Sequence, residues 1–491
     1  MNIENNNPAL PDQLLIELNR VPHELRRIHL MGICGTGMAS LAGILKEKGY
    51  LATGSDQNVY PPMSTFLRDL SIPILEGYRA ENLSPPPDLV IVGNVITRQN
   101  PEAAELSRIK TPYLSFPQAL KYFAMAGKRS VVICGTHGKT TTSALAAWLL
   151  EKAGLDPSFM IGGLPHNFQR NFQSGTGPYF VIEGDEYDTA FFDKGPKFLH
   201  YSPWATILTS IEFDHADIYR DLDHIKESFR KLIDLIPAEG LLISNGDDPL
   251  VIRQSKRAKS PVTTYGFSEN ADWRGVDVDV REESTHLRIL KKGKPHITLS
   301  TPLYGRHNIG NLLSIVALSD FLEIDGKILA EAMKGFMGIR RRQEVRGEKK
   351  GILILDDFAH HPTAVRETLL AVKEKYVNRR LIAVFEPRSN SSRRNVFQGA
   401  YAAAFDNAEL VFIPEPPLME KIPPEERFSS AKLVEDLKKR GLKAIYAPDT
   451  DHLIHEILRS AREGDVILIM SNGSFDDLHD KLLNRLDEFL T

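Results

Sequence analysis

The chain has 491 residues, and its 60 basic and 64 acidic side chains give a net charge of −4. This length corresponds to about three domains, and the balanced charge excludes a nucleic-acid-binding face built on a basic excess. Two cysteines are too few for a disulfide scaffold and fit a reducing compartment. Residues 1–11 lack the basic and apolar regions of a signal peptide, and no run of about 18 apolar residues predicts a membrane span. We therefore expect a soluble cytoplasmic protein.

Short apolar runs recur along the chain, each followed by a turn and then by a helical pattern. Such runs are typical of buried parallel strands in βα units, and we therefore predict an α/β fold. The strands are predicted at 28–33, 89–92, 131–133, 179–182, 205–211, 352–355, 381–385, 410–413 and 466–470. Residues 273–299 instead alternate apolar and polar side chains and predict a small antiparallel patch. Ligand-binding residues are expected just past the carboxyl ends of the parallel strands.

The first glycine cluster, GICGTG, contributes Gly32, Gly35 and Gly37 after an apolar strand and before a helix predicted at 37–48. Glycines at such a turn let the backbone approach a pyrophosphate at a helix N-terminus. Asp56 follows about 20 residues later, where a ribose-binding acid would fall. The spacing differs from the dinucleotide pattern G-x-G-x-x-G. A nucleotide site and a tight structural turn are therefore both open interpretations.

The second cluster, GTHGKTTT, lies between the strand at 131–133 and a helix predicted to reach Ala153. Backbone N–H groups at such a turn bind phosphates. Lys139 would then reach the β- and γ-phosphates, and the hydroxyl of Thr140 would ligate Mg²⁺. The loop is shorter than the full Walker pattern because Ile133 stands at the position of the first glycine. We interpret this cluster as a nucleoside triphosphate site.

Acidic and imidazole side chains follow the next strands. Glu183 is the best candidate for a Mg²⁺ ligand, since this cation usually takes one or two carboxylates together with phosphates and water. Asp185, Glu186 and Asp188 are individually more typical of a solvated acidic turn. His215 follows a further strand, where it could contact a metal or phosphate or could be structural.

Three later motifs carry further polar side chains. Asn308 and Asn311 share one helix face, where amides could bind an adenine edge, although Asn308 could instead cap the helix. Arg342 ends an Arg triplet that could supply a guanidinium to phosphate charge or could be a solvated run. Asp357 and His360 lie in DDFAHHP, whose spacing matches no strong zinc pattern. We expect that motif to position groups at an ATP site between domains.

Taken in order, GTHGKTTT, EGDEYD, EFDH, GRHNIGN, the Arg triplet and DDFAHHP resemble the motif series of the Mur ligase family. GICGTGM resembles the N-terminal UDP-muramyl site of the muramate–alanine ligase branch of this family, so that the match covers nearly the whole chain. The resemblance implies a Rossmann-like UDP-substrate domain at 1–126, a central P-loop ATPase domain with a mostly parallel sheet at 127–338, and a Rossmann-like C-terminal ligase domain at 339–491.

The resemblance also implies ATP-dependent amide bond formation. The muramyl carboxylate attacks the γ-phosphate to give an acyl phosphate, which an incoming amine then attacks. Because two anions must meet, Mg²⁺, a lysine and an arginine are needed to neutralise charge. By motif position, the implied residues are Lys139, His215, Arg342 and His360 for catalysis; Gly135, Thr136, His137, Gly138, Lys139, Thr140, Thr141, Asn308, Asn311, Arg342 and Asp357 for ATP; Gly32, Gly35, Thr36, Gly37, Met38 and Asp56 for the UDP substrate; and Thr140, Glu183 and His215 for Mg²⁺.

Within the family, GNVITRQNPE, FVIEGDEYDTAFFDK, EFDHADI, DDFAHHPTAV and SNGSF resemble the branch that joins UDP-N-acetylmuramate to the tripeptide L-Ala-γ-D-Glu-meso-diaminopimelate in peptidoglycan recycling. The alternative is the alanine-adding branch, which typically carries EADESD and DDYGHHP. Two further alternatives are a folylpolyglutamate-type ligase, which lacks the glycine-rich first domain, and a nucleotide-dependent dehydrogenase, for which NAD(H) binding is the discriminator.

The sequence departs from the family pattern at two places. Phe229 stands where many relatives carry a carbamylated lysine, although the alanine-adding branch also lacks that lysine. Asp476 and Asp477 follow SNGSF where glycines are expected. Beside these departures, an arginine cluster could either bind the peptide carboxylates or lie solvated at the surface; its members are Arg388, Arg393 and Arg394.

Overall fold

The computed structural model describes residues 14–61, 63–216 and 218–489, with side chains described as far as residue 486. Residues 1–11, predicted to hold no signal peptide, lie outside the described residues, as does Asp217 of the EFDHADI motif. Within the described ranges, no helix has both the length and the apolar character needed to cross a membrane.

The first sheet has five parallel strands in the order β3-β2-β1-β4-β5. This order confirms the predicted Rossmann-like arrangement, in which the chain reverses direction across the sheet between β1 and β4. The elements are β1 (Arg27–Met31), α1 (Thr36–Glu47), β2 (Leu51–Asp56), α2 (Met63–Asp69), β3 (Ile74–Glu76), β4 (Leu89–Val92), α3 (Pro101–Ile109), β5 (Tyr113–Ser115) and α4 (Phe116–Phe123).

The central sheet has ten strands in the order β17-β16-β15-β14-β13-β12-β6-β9-β7-β8, and its inner pairs are parallel. The antiparallel pairing of β15, β16 and β17 confirms the patch predicted at 273–299. The strands are β6 (Arg129–Cys134), β7 (Ser158–Met160), β8 (Phe172–Gln173), β9 (Tyr179–Gly184), β10 (Asp188–Ala190), β11 (Asp193–Pro196), β12 (Pro203–Leu208), β13 (Leu241–Asn245), β14 (Val262–Gly266), β15 (Trp273–Val280), β16 (Thr285–Lys291) and β17 (Lys294–Thr301), with β10 and β11 forming a separate hairpin. The helices are α5 (Lys139–Lys152), α6 (Leu222–Asp234), α7 (Pro249–Ser255), α8 (Arg306–Phe321) and α9 (Gly326–Lys334).

The third sheet has six strands in the order β18-β19-β23-β20-β21-β22, with β18 antiparallel at one edge and the other pairs parallel. Its elements are β18 (Glu344–Lys349), β19 (Ile352–Asp357), α10 (Pro362–Lys375), β20 (Arg380–Phe385), α11 (Gln398–Ala402), β21 (Leu410–Pro414), α12 (Ser430–Lys439), β22 (Ala444–Ala447), α13 (Thr450–Ser460), β23 (Asp465–Met470) and α14 (Leu478–Phe489). The predicted α/β class with three sheet-centred units is therefore confirmed.

Two predicted strands end earlier than expected. The strand predicted at 28–33 ends at Met31 because Gly32 adopts φ +82° and starts the glycine-rich turn. The strand predicted at 205–211 ends at Leu208. Beyond it the backbone turns toward the GTHGKTTT loop, where the carbonyl of Ser210 accepts a 3.0 Å hydrogen bond from the N–H of Thr136. In both cases the apolar pattern continues past the point at which the ladder stops.

One apolar cluster is shared by the first and central sheets, and it includes Leu41, Phe116, Phe172 and Phe198. Close approach of the two units requires a small residue in α1, because a Cβ atom on Gly43 would lie 2.7 Å from Cζ of Phe172. This packing fixes the first glycine cluster beside the central sheet. The two loops predicted to bind phosphates therefore face one space.

Candidate active site

A cavity of about 1680 Å³ lies where the three units meet. Its lining includes residues of both glycine clusters, the strand-end acids of the central sheet and the Arg triplet. The volume exceeds the roughly 300–1,000 Å³ typical of a site for one small ligand. Such a space can accommodate several substrates together.

The GTHGKTTT loop requires its glycines. Gly135 and Gly138 have φ values of +127° and +80°, which favour glycine. A Cβ atom on Gly138 would also lie 2.6 Å from Oδ1 of Asn311. The loop leads into α5, whose N-cap is Gly138 and has no side-chain cap. The first N–H groups of this helix can therefore bind an anion.

Lys139 is held at the base of this loop. Its Nζ donates to the carbonyl of Gly135 at 2.7 Å and to Oε2 of Glu186 at 2.8 Å. Burial alone would raise the pKa of Glu186, but Lys139 and His215 outweigh it and lower that pKa to about 2. The same carboxylate raises the pKa of Lys139 against the opposing effect of burial. The lysine is therefore a permanent cation at the phosphate loop.

Glu186 corrects one prediction. The sequence favoured a solvated turn for this residue, whereas its side chain is 3 % exposed and bonded to Lys139. It lies beside the phosphate loop, where Lys139 neutralises its charge. The two residues are 47 positions apart in the sequence, so local sequence patterns cannot predict their contact.

The structure brings together Thr140 and Glu183, two of the predicted Mg²⁺ ligands. Oγ1 of Thr140 donates to Oε2 of Glu183 at 3.0 Å, and the N–H of Gly162 donates to Oε1 at 2.6 Å. Burial, followed by the charge of Asp185, raises the pKa of Glu183. A hydroxyl and a buried carboxylate form the hard oxygen donor set that Mg²⁺ prefers, and a cation there would stabilise the ionised carboxylate.

His215, the third predicted ligand, lines the same cavity, but its contact is with Glu186 and not with Thr140 or Glu183. Its Nε2 lies 3.5 Å from Oε1 of Glu186, and its backbone has φ +53°. Burial would lower the pKa of this imidazole, but the hydrogen bond and charge of Glu186 raise it above its usual value. A strained backbone that holds a polar side chain in a cavity is typical of functional sites.

Arg342, from the C-terminal part of the chain, reaches Thr140 in the phosphate loop. Its Nη2 donates to Oγ1 of Thr140 at 3.3 Å, and its guanidinium lies 4.7 Å from the centre of the Phe358 ring. Asp357 holds the segment that carries this arginine. Its two oxygens accept the N–H groups of Gln343 and Ala359, each at 2.8 Å, and burial raises its pKa.

Asn308 and Asn311 are buried and line the cavity. Nδ2 of Asn308 donates to the carbonyl of Tyr304 at 3.1 Å and to Oε1 of Gln343 at 3.0 Å. The N-cap of α8 is Gly305, so the alternative role of Asn308 as the helix cap is wrong. His360 also lines the cavity, where burial lowers its pKa.

Glu212 was not singled out from the sequence, yet it links the phosphate loop to the C-terminal unit. It lies 3.2 Å from Nε2 of His137 and accepts a 2.7 Å hydrogen bond from Oγ1 of Thr363. His361 is close enough to suggest a metal cluster with His137 and Glu212. However, Nδ1 of His361 accepts the N–H of Thr363 and Nε2 faces the carbonyl of Phe213. With both nitrogens engaged, we interpret the group as an interdomain contact.

The predicted UDP-substrate residues divide into two groups. Those from Gly35 to Met38 line the cavity, at the start of α1, whose N-cap has no side-chain cap. Gly32 and Asp56 are not part of this lining. The oxygens of Asp56 accept the N–H groups of Cys34 at 2.9 Å and Asn58 at 3.0 Å. This carboxylate therefore supports the glycine-rich loop from behind.

The two departures from the family pattern have structural counterparts. Phe229 is fully buried and its ring centre lies 5.6 Å from that of Phe198. Asp476 is bonded to Lys481 at 2.6 Å, on the surface. The arginine cluster is not part of the cavity lining. Its contacts lie within the C-terminal unit: Arg388 with Glu386, Arg393 with Leu418 and Asn390, and Arg394 with Glu426.

Comparison with known proteins shows three matching family models that follow one another along the chain. The Mur ligase family catalytic domain matches residues 27–128, the Mur ligase middle domain 133–319, and the Mur ligase glutamate ligase domain 341–473.

Individual relatives match over nearly the full length. The chain is 39% identical over 461 residues, 94% of this chain and 98% of the relative, to the UDP-N-acetylmuramate–L-alanyl-γ-D-glutamyl-meso-2,6-diaminoheptandioate ligase of Escherichia coli (strain K12). It is 33% identical over 476 residues, 95% of this chain and 98% of the relative, to a UDP-N-acetylmuramate–L-alanine ligase of Carboxydothermus hydrogenoformans.

Two crystal structures resemble the whole chain. A murein peptide ligase from Psychrobacter arcticus has a TM-score of 0.72 and 33% identity, covering 95% of this chain and 100% of that one. A UDP-N-acetylmuramate-alanine ligase from Thermotoga maritima has a TM-score of 0.78 and 26% identity, covering 94% of this chain and 99% of that one.

Proposed function

The chain belongs to the Mur ligase family, and we propose that it joins UDP-N-acetylmuramate to the tripeptide L-Ala-γ-D-Glu-meso-diaminopimelate in an ATP-driven reaction. The observation that carries the chemistry is the cavity in which the first glycine cluster and the phosphate loop face each other. The higher identity to the tripeptide ligase, 39% against 33% for the alanine ligase, favours this amine substrate. The reaction would serve peptidoglycan recycling.

The residues suit phosphorylation of a carboxylate. A carboxylate is a poor electrophile, so it must first attack the γ-phosphate of ATP and become an acyl phosphate with a leaving group. Lys139 and Arg342 hold positive charge where the two anions approach each other, and the open N-terminus of α5 binds phosphate oxygens. The amine then attacks the acyl carbon, the C–O bond to phosphate breaks, and ADP and inorganic phosphate leave.

Thr140 and Glu183 fit a Mg²⁺ ion, and we propose that His215 approaches the same ion through its contact with Glu186. When bound, the cation neutralises charge on phosphate oxygens. Glu183 and Thr140 would hold it beside the phosphate loop. Asn308 and Asn311 are proposed to bind the adenine, since both amides line the cavity.

We propose domain boundaries at residues 126/127 and 338/339. Two contacts support a C-terminal domain that closes over the ATP site: Arg342 reaches Thr140, and Thr363 reaches Glu212. Each joins a residue beyond the second boundary to a residue of the phosphate loop or its neighbouring turn. Closure of this kind excludes water from the acyl phosphate.

The test of this function is ADP release with UDP-N-acetylmuramate and either the tripeptide or L-alanine. We expect kcat/KM for the tripeptide to exceed that for alanine by about a hundredfold, because free alanine cannot make the contacts that the other two residues of the peptide make. UDP-N-acetylglucosamine has no carboxylate and should release no ADP. Turnover with alanine alone would instead establish the alanine-adding reaction.

A further inference from the structure

Lys197 is a buried lysine of the cavity wall for which neither the sequence motifs nor the mechanism above provides a role. Its side chain is 9% exposed, and it lies at the start of a turn directly after β11. It lines the same cavity as Lys139. A buried ammonium is expensive to hold without a compensating anion, so its surroundings indicate what it binds.

The segment before Lys197 fixes this residue between two units. We call β10 and β11 with their connecting turn, residues 188–196, the bridging hairpin. The ring of Phe192 packs 4.9 Å from that of Tyr113 in the first sheet. At the base of the hairpin, the N–H of Lys197 donates to the carbonyl of Tyr187 at 3.3 Å. The lysine is thus anchored to both the first and the central unit.

The ammonium lies between the two predicted anion sites. On one side, its Nζ is 5.5 Å from the ring centre of Phe116. That ring packs against Gly37 in the first glycine cluster, where an added Cβ atom would lie 3.0 Å from Cζ of Phe116. On the other side, Nζ is 3.7 Å from Oδ2 of Asp185, two residues after Glu183. Tyr187 covers it, with the ring centre 4.1 Å from Nζ.

The ammonium of Lys197 has more N–H donors than its neighbouring carboxylate can use. An ammonium has three N–H donors, and among the residues that the structure describes Asp185 is the carboxylate within 4.0 Å, at a separation longer than a hydrogen bond. Burial lowers the pKa of Lys197 against the opposing charge of Asp185. A carboxylate that enters the cavity could accept a hydrogen bond from this ammonium.

We propose that Lys197 binds the lactyl carboxylate of UDP-N-acetylmuramate and holds it between the first glycine cluster and the phosphate loop. This inference rests on the proposed function. A carboxylate entering here meets two acidic side chains, Glu183 and Asp185, which repel it. Lys197 offsets that repulsion on the sugar-nucleotide side, as Lys139 does on the ATP side. The pyrophosphate belongs at the N-terminus of α1, and the ring of Phe116 separates that site from Lys197. Lys197 therefore favours ligands that carry the lactyl carboxylate over ligands that carry the pyrophosphate alone.

The test compares two ligands that differ in this group. UDP-N-acetylglucosamine shares the nucleotide and sugar but has no lactyl carboxylate. Their dissociation constants are measured by calorimetry on the full chain, and the readout is the ratio between them. We expect Lys197→Met to raise the dissociation constant of UDP-N-acetylmuramate by about tenfold or more, because a charged hydrogen bond is lost. The dissociation constant of UDP-N-acetylglucosamine should not change.

Three variants separate this role from a structural one. Lys194→Met is the matched control, because Lys194 lies in the bridging hairpin with a 69% exposed side chain bonded to Asp188. It should keep the wild-type ratio. Lys197→Arg retains the charge and should keep most of the preference. Lys197→Gln is the second neutral variant, should Lys197→Met fail to fold.

The outcomes are distinct. If the ratio of the two dissociation constants in the neutral variants equals that of wild type, the role of Lys197 is overturned. It is also overturned if both ligands lose affinity equally, which would place Lys197 at the pyrophosphate. A wild-type protein with no preference for UDP-N-acetylmuramate contradicts the proposed function itself.

Discussion

Lys139→Met is expected to lower kcat for ADP release by about a thousandfold, the effect of removing a charged group aimed at the transition state. The lysine is the cation tied to the phosphate loop, where its Nζ lies 2.8 Å from Glu186 and 2.7 Å from the carbonyl of Gly135. Methionine fills a similar volume without the charge. Steady-state kinetics at saturating substrates measures the change.

The same substitution has a second effect that must be separated from the first. It leaves Glu186 buried without its lysine, with His215 3.5 Å away. Loss of one member of a buried ion pair destabilises a protein by about 3 kcal/mol. The double variant Lys139→Met, Glu186→Gln should recover thermal stability but not activity. Lys152→Met, at the exposed end of the same helix, is the control. Near-normal kcat in the single variant would refute the assignment of the phosphate loop.

Arg342→Lys is expected to lower kcat by about a hundredfold or more, because an arginine that reaches a transferring phosphoryl group contributes at least this much. The guanidinium crosses from the segment after the central unit, lies over Phe358 and donates to Thr140 at 3.3 Å. Lysine retains the charge but not the planar fork that can contact two oxygens at once.

A matched control for this substitution is Arg366→Lys in α10, where the side chain is 52% exposed and paired with Glu367. It should leave kcat unchanged. Single-turnover measurements locate the defect: Arg342→Lys should slow ADP formation while ATP binding changes little. If ADP forms at the wild-type rate in the variant, the arginine does not act on the phosphoryl transfer.

Much of the fold follows from local patterns. The parallel strands are nearly continuous apolar runs, as in β23, whose residues are all buried, and alternation marked the antiparallel strands β15 to β17. Glycine spacing located both loops because the chemistry of a phosphate-binding turn is local. Strand ends were less predictable, since Leu208 and Ile211 are equally buried and apolar, whereas the backbone at Ser210 and Ile211 bonds to other loops and not to a neighbouring strand.

The residues missed in the site share a physical reason. Glu186, Glu212 and Lys197 are charged side chains in short turns, a pattern that is the same whether a turn is solvated or buried. Their partners lie far along the chain, as in the contact between Glu212 and Thr363, which are 151 residues apart. A single sequence shows the hydrophobic periodicity of each helix and strand. It does not show which charged side chains come into contact when the three units pack together. The motif FVIEGDEYDTAFFDK ends at Lys194, so none of the motifs that carry the family resemblance includes Lys197.

Phosphorylation of the sugar-borne carboxylate by ATP must precede attack by the amine. This order is tested by carrying out the reaction with UDP-N-acetylmuramate labelled with heavy oxygen in the lactyl carboxylate and analysing the inorganic phosphate by mass spectrometry. We expect one labelled oxygen atom in the phosphate for each amide bond formed. Inorganic phosphate that carries no label, formed in step with the product, would contradict it.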